Sequence, residues 1–138
     1  QFLLEGRWRL APTMFLDRLA GHLGPEVGLV MVPRRENAWS NSVRVAGDGA
    51  EAIAHLHPED ATRCGVTDGG WAAITSAHGS MVVVIRTDPG LRAGTVSVTH
   101  GHRGASPGLL VSGVDDVDRI TAMPRASGLP VTVVPLRG

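Results

Sequence analysis

Lysine is absent from this chain: all thirteen basic residues are arginine, and thirteen acids balance them to a formal net charge of zero. A neutral chain has no general attraction to nucleic acid or to an anionic membrane surface. Arginine is the better planar donor to phosphate, but its use throughout points first to biased codon composition, and only clustered arginines would mark a site. Cysteine is nearly absent too. The single Cys64 excludes an internal disulfide, and it excludes an iron–sulfur cluster held by this chain alone, which needs about four thiolates. No apolar run reaches membrane-spanning length, and Gln1 opens no charged-then-apolar signal pattern, so the cytoplasm is the default compartment. The chain does not begin with Met and is read as a piece of something longer. Walker-type loops, a dinucleotide GxGxxG and a Ser/His/Asp order are all missing.

What is present describes about one domain. A length of 138 residues can bury a real core, and 43% hydrophobic with 19% charged residues is ordinary for a globular protein. Eighteen glycines and nine prolines favour short strands and tight turns over a helical bundle. Residues 11–23 predict a short helix with Pro12 in its first turn and Phe15, Leu16, Leu19 and Leu23 on one apolar face. Residues 27–32 predict a buried strand ending at Pro33, and a weaker strand lies near Val43–Val45 before a Gly-rich turn. In residues 58–64, Pro58 suits a first helical position, Glu59 and Asp60 suit the positive helix end, and Gly65 suits its exit, with His57 or its predecessor as cap. Asp68-Gly69 is a hairpin-turn dipeptide. Strands follow at 71–76, 80–87 and 94–99, then a Gly-rich loop over 100–108, a strand at 109–111 and a last one at 131–134. Seven or eight short strands with two or three helices suit a closed barrel, because closure removes exposed strand edges.

Four blocks, in order, carry a family resemblance. LVMVPRRENAWSNS runs a strand into an Arg-Arg pair and then an Asn-x-Trp feature; LHPEDATRCGVTDGGWAAITSAHGSMVVV contains Pro-x-Asp-Ala, Asp-Gly and Ser-x-x-Gly. LRAGTVSVTHGHRG delivers a strand into His-Gly, and VDRIT precedes MPRASGLPVTVVPL. This series resembles the C-terminal molybdopterin-dinucleotide-binding domain of the DMSO reductase and formate dehydrogenase family of molybdopterin oxidoreductases. The resemblance covers nearly the whole chain, residues 1–138. Its Arg-Arg and Asn-x-Trp features look most like formate-dehydrogenase-like enzymes. Departures are also visible: Asn41 and Ser42 stand at the family's His and Asn positions, Cys64 at a Leu position and Asp118 at an Asn position. Two of the spacers are shortened.

The resemblance implies a mostly β fold with short helices, a double-psi β-barrel. It implies molybdopterin guanine dinucleotide as cofactor, with Mo or W held by the full-length enzyme, and the remaining domains of the oxidoreductase as partners. Nucleic acid and membrane are not expected partners. The residues matching the site are Arg34, Arg35, Asn37, Asn41, His100, Gly101, His102 and Asp118. Each also has a plainer reading. Arg34 and Arg35 can pair with phosphate through parallel donors, or decorate a solvated loop. Asn37 and Asn41 suit pterin amide edges, or form turns; Trp39 can cover a ring or fill a gap. Gly101 permits close backbone approach, and His100 and His102 can bond phosphate or pterin nitrogens, their spacing being a weak zinc signal. Asp118 can accept from a 2-amino-4-oxo edge, or be a surface acid following Asp115 and Asp116. Glu59 and Asp60 are accounted for by a helix start, and Cys64 by core filling. No catalytic residue and no metal ligand is expected on this chain, because reactivity belongs to the cofactor. The competing readings are a cofactor-free barrel acting as an interaction or assembly module and, with no nucleophile–base pair in view, a self-contained acid–base enzyme.

Overall fold

The computed structural model describes Gly6 and residues 11–22, 28–36, 51–102, 105–118 and 120–136. Among these, helix α1 (Thr13–His22) precedes strand β1 (Leu29–Arg34), β2 (Ile53–Leu56), helix α2 (Pro58–Cys64), β3 (Trp71–Thr75), β4 (Ser80–Thr87), β5 (Thr95–Thr99), a 3-10 turn at Pro107–Leu110, and β6 (Leu129–Pro135). The six strands close into a barrel in the order β1-β5-β2-β4-β3-β6. Two pairs are parallel, β1 with β5 and β2 with β4, and the connection joining the first pair spans the whole of the second. This is the double-psi β-barrel. The expected strand at Val43–Val45 lies outside the described residues.

Alternation builds the core. Ala54 and Leu56, Ala72 and Ile74, and Val96 and Val98 point inward from neighbouring strands, and Met31, Ile85 and Leu110 complete a fully buried interior. Removing a side chain such as Leu56 by substitution with Ala would cost about 2–5 kcal/mol. Cys64 packs partly buried against this core, and burial, with the Asp60 charge behind it, pushes its thiol above the ordinary range.

Local chemistry explains most boundaries. The His57 Nδ1 accepts the Glu59 N–H at 3.3 Å, Pro58 opens α2, and Gly65 closes it in the left-handed region at φ 69°. β1 continues through Pro33, where an end was expected. Its ladder with β6 covers only Leu29–Met31, so at Pro33 the strand has one neighbour and loses nothing by lacking an N–H. Asp68-Gly69 does turn the chain, but between α2 and β3, so it closes no hairpin. The true hairpin is at residues 76–79, where Gly79 has no room for a Cβ: one would sit 2.2 Å from the Leu109 carbonyl oxygen. The expected strand at 109–111 is instead part of the 3-10 turn, opened by Ser106 as cap and Pro107 at its first position. α1 forms where its pattern predicts, but Met14, Phe15, Leu16 and Leu19 are all about half exposed.

Candidate functional site

The C-terminal ends of β1 and β5 leave the barrel side by side. Arg34 lies opposite Thr99 in the parallel ladder, and the His100 N–H donates to the Arg34 carbonyl at 3.3 Å. The Arg pair and the His-Gly-His segment, remote in sequence, therefore share one end of the fold.

Their side chains have different occupations. The Arg34 guanidinium donates to Asp88 Oδ2 at 3.2 Å, across the outside of the barrel. That carboxylate is held below its ordinary range first by the Gly90 N–H and then by Arg34. His55, outward on β2 and half-buried, titrates below the usual imidazole value because burial and then the Arg34 charge both disfavour its cation. Nearby, Arg86 stands 3.6 Å from Asp68, whose carboxylate is lowered mainly by the Thr87 N–H at 2.7 Å. Arg35, by contrast, is exposed.

His102 is buried and helps to fix the loop. Its Nε2 lies 2.9 Å from Thr99 Oγ1, which also meets the Ile53 N–H at 2.9 Å and the Ile53 carbonyl at 3.2 Å. A hydroxyl has one hydrogen and two lone pairs, so all three contacts are satisfied when Thr99 donates to the carbonyl and accepts from Ile53 and from His102 Nε2–H. Glu36 Oε2 is 3.9 Å from the same imidazole nitrogen. The residue after Arg35 therefore lies close to the loop carrying His100 and Gly101. Gly101 itself adopts φ 91°, where any side chain would strain the backbone.

Asp118 heads a turn. Its Oδ1 accepts the N–H groups of Ile120 at 2.7 Å and Thr121 at 3.0 Å, while its own N–H reaches the Met123 carbonyl. This is the chemistry of an Asx turn. Asn37, Trp39 and Asn41 lie outside the described residues. Among the described residues no cluster of three or more His, Cys, Asp or Glu could hold a metal ion.

Sequence reasoning does not find Asp88, His55, Thr99 or Glu36 as neighbours of the expected site. Asp88 is visible as part of an Asp-Pro-Gly turn, and Thr99 as the residue before His-Gly-His, but their pairings cross strands that only the barrel brings together. The resulting donor set is an exposed guanidinium, a half-buried imidazole at His100 and a glycine backbone open to close approach. It fits a ligand combining phosphate charge with planar rings. The family model described as "Molydopterin dinucleotide binding domain" matches residues 30–130, a span containing all of these groups. The chain belongs to this family.

One relative and one solved structure of similar fold give the scale of this molybdopterin dinucleotide-binding domain. From Halobacterium salinarum, the putative catalytic subunit of a dimethyl sulfoxide reductase is 31% identical over 68 residues, which is 49% of this chain and 8% of that protein. Acetylene hydratase from Pelobacter acetylenicus superimposes on 92% of the domain with a TM-score of 0.70 at 19% identity, a likeness of fold; the match takes up 20% of that chain. The domain thus spans a small part of each. No helix among the described residues is long and apolar enough to cross a membrane.

Proposed function

We propose that this domain binds the guanine dinucleotide form of molybdopterin as the C-terminal part of a larger molybdenum or tungsten oxidoreductase, in the cytoplasm. The observation that supports the reading is the paired exit of β1 and β5, which brings the residues following Arg34 and Thr99 to one end of the barrel within the family-matched span. Arg35 offers parallel N–H donors to a pyrophosphate oxygen. Gly101 admits a ligand close to the backbone, and His100 adds a hydrogen-bonding ring edge. Arg34 supports the site from behind, its charge already taken by Asp88. His102, through Thr99 and Ile53, holds the loop in the shape that presents its neighbours. Asn37 and Asn41 complete the proposed set, and Asp118 acts through the turn it heads. When bound, the cofactor supplies a dithiolene-held metal that takes electrons from a small substrate. The domain itself binds and orients, and by itself it turns nothing over. A formate-dehydrogenase-like specificity rests on Arg34-Arg35 and Asn37-x-Trp39 alone; the sequence relative and the structural neighbour carry other names.

The test is purification of the polypeptide encoded by the full reading frame, followed by metal and pterin analysis. Arg35→Ala and His100→Ala should each lower pterin occupancy while leaving the circular dichroism spectrum and melting temperature of the barrel unchanged. Unchanged occupancy in both variants removes these residues from the site.

A further inference from the structure

We propose that the outward face of β4, β3 and β6 is the surface on which the rest of a larger oxidoreductase polypeptide packs; this rests on the reading of the chain as one domain of such an enzyme. The ladder register aligns the face. Val82 lies opposite Ala73, which lies opposite Val134; in the adjoining row the Leu136 N–H bonds the Trp71 carbonyl at 2.9 Å. Exposure reaches 45% at Trp71, 45% at Val82, 56% at Val134 and 45% at Leu136. The next row is Ser80, Thr75 and Thr132, so these three neighbouring strand rows carry no formal charge.

Charge surrounds this patch without entering it. Arg86–Asp68 stands at the end of β4, and Arg34–Asp88 and His55 lie toward β1 and β2. A barrel meeting water all round would be expected to carry such groups within these rows as well. Single exposed apolar residues are ordinary, whereas a contiguous row of them marks an interaction surface. Charge depletion with an aromatic present is the composition of an interface core, and large apolar contacts are typical of permanent rather than transient ones.

The occupant follows from scale. The domain takes up 20% of the acetylene hydratase chain and 8% of the Halobacterium protein, so such polypeptides carry several times the domain's own mass beyond it. A permanent neighbour on the same polypeptide, presenting an uncharged apolar surface, matches an uncharged apolar face. It would also hold the Arg35–His100 end steady relative to that body.

Hydroxyl-radical footprinting reads side-chain accessibility directly. Trp71 should be oxidised several-fold more slowly in the full-reading-frame polypeptide than in the 138-residue chain at equal concentration. Val82→Glu and Val134→Glu should leave the melting of the 138-residue chain nearly unchanged, because both side chains already face water. In the longer polypeptide the same variants should speed proteolytic release of the barrel on the order of tenfold, because a charge is then forced against an apolar partner. Equal Trp71 oxidation in both forms overturns the inference. So does protection in the 138-residue chain that rises with concentration and sediments as a dimer, which assigns the face to a second copy. Protection in the monomer that is lost in Phe15→Ser/Leu19→Ser also overturns it, by assigning the face to α1. A longer polypeptide that holds pterin but leaves Trp71 fully reactive overturns this inference alone. One without pterin but with Trp71 protected supports the packing and overturns the cofactor reading.

Discussion

Asp60 offers a sharp quantitative test of how the barrel is held together. Its side chain is fully buried, yet it accepts the Gly94 N–H at 2.6 Å and pairs with Arg63, whose side chain is 66% exposed. Asp60→Ala leaves the Gly94 donor, immediately before β5, without its acceptor. An unsatisfied donor costs about 1–3 kcal/mol. The lost pair with a largely exposed Arg63 adds no more than about 1 kcal/mol, and relief from carboxylate desolvation offsets part of the sum. The expected net loss is about 2–3 kcal/mol, or roughly 6–15 °C in melting temperature for a chain of this size. Arg63→Ala keeps the Gly94 bond and should cost about 1 kcal/mol or less. Urea unfolding followed by circular dichroism reads both as midpoint shifts at constant m. A cost for Asp60→Ala below about 0.5 kcal/mol would refute the reasoning, as would Arg63→Ala costing as much as Asp60→Ala.

Three further outcomes follow from the geometry. Gly79→Ala drives a methyl group into the backbone carbonyl of Leu109 and should cost about 2 kcal/mol or more, whereas Gly113→Ala, with nothing within 4 Å, should stay within about 0.5 kcal/mol; thermal melts decide. Thr99→Val keeps the shape but leaves both Ile53 backbone groups and His102 without the hydroxyl, for a loss of about 1–3 kcal/mol in urea melts. His55 is lowered in the folded chain, so the unfolded chain takes up its proton first: stability should fall as pH drops below about 6.5 and through the lowered folded value. His55→Gln should flatten that window in urea melts across pH. It should leave the separate loss below about pH 4, where the lowered carboxylates of Asp68 and Asp88 are protonated.

The legible parts of this fold are those governed by neighbours in sequence. His57, Pro58 and Gly65 bound α2 because capping is a local contest for backbone bonds, and residues 76–79 form a hairpin for the same reason. β2 escapes a reading from sequence, because Ile53-Ala-His-Leu56 is four residues long and its outward His55 breaks the apolar pattern. Leu109-Leu110 looks like a strand, but Ser106 and Pro107 win locally by starting a 3-10 turn. Asp60 shows the deeper difficulty. A helix start explains its position, but not its burial, which depends on Gly94 arriving from the turn before β5. At the proposed site, the ordered blocks single out Arg35, His100 and Gly101 as candidates, while the Arg34–Asp88 pair and the Thr99–His102 network need strands remote in sequence to meet. α1 carries Phe15, Leu16 and Leu19 as expected, and Leu23 lies outside the described residues; sequence periodicity does not say what these side chains face, and here the three are about half exposed.

The central claim is that the β1 and β5 exits hold a guanine dinucleotide pterin. Its most direct test is to purify the full-reading-frame polypeptide, extract it with acid and hydrolyse the pyrophosphate enzymatically. The account predicts pterin fluorescence and released GMP in equal amounts, both reduced together in Arg35→Ala and His100→Ala at unchanged melting temperature. A metal-supplemented preparation yielding neither pterin nor GMP, or one whose yield ignores both substitutions, would contradict it.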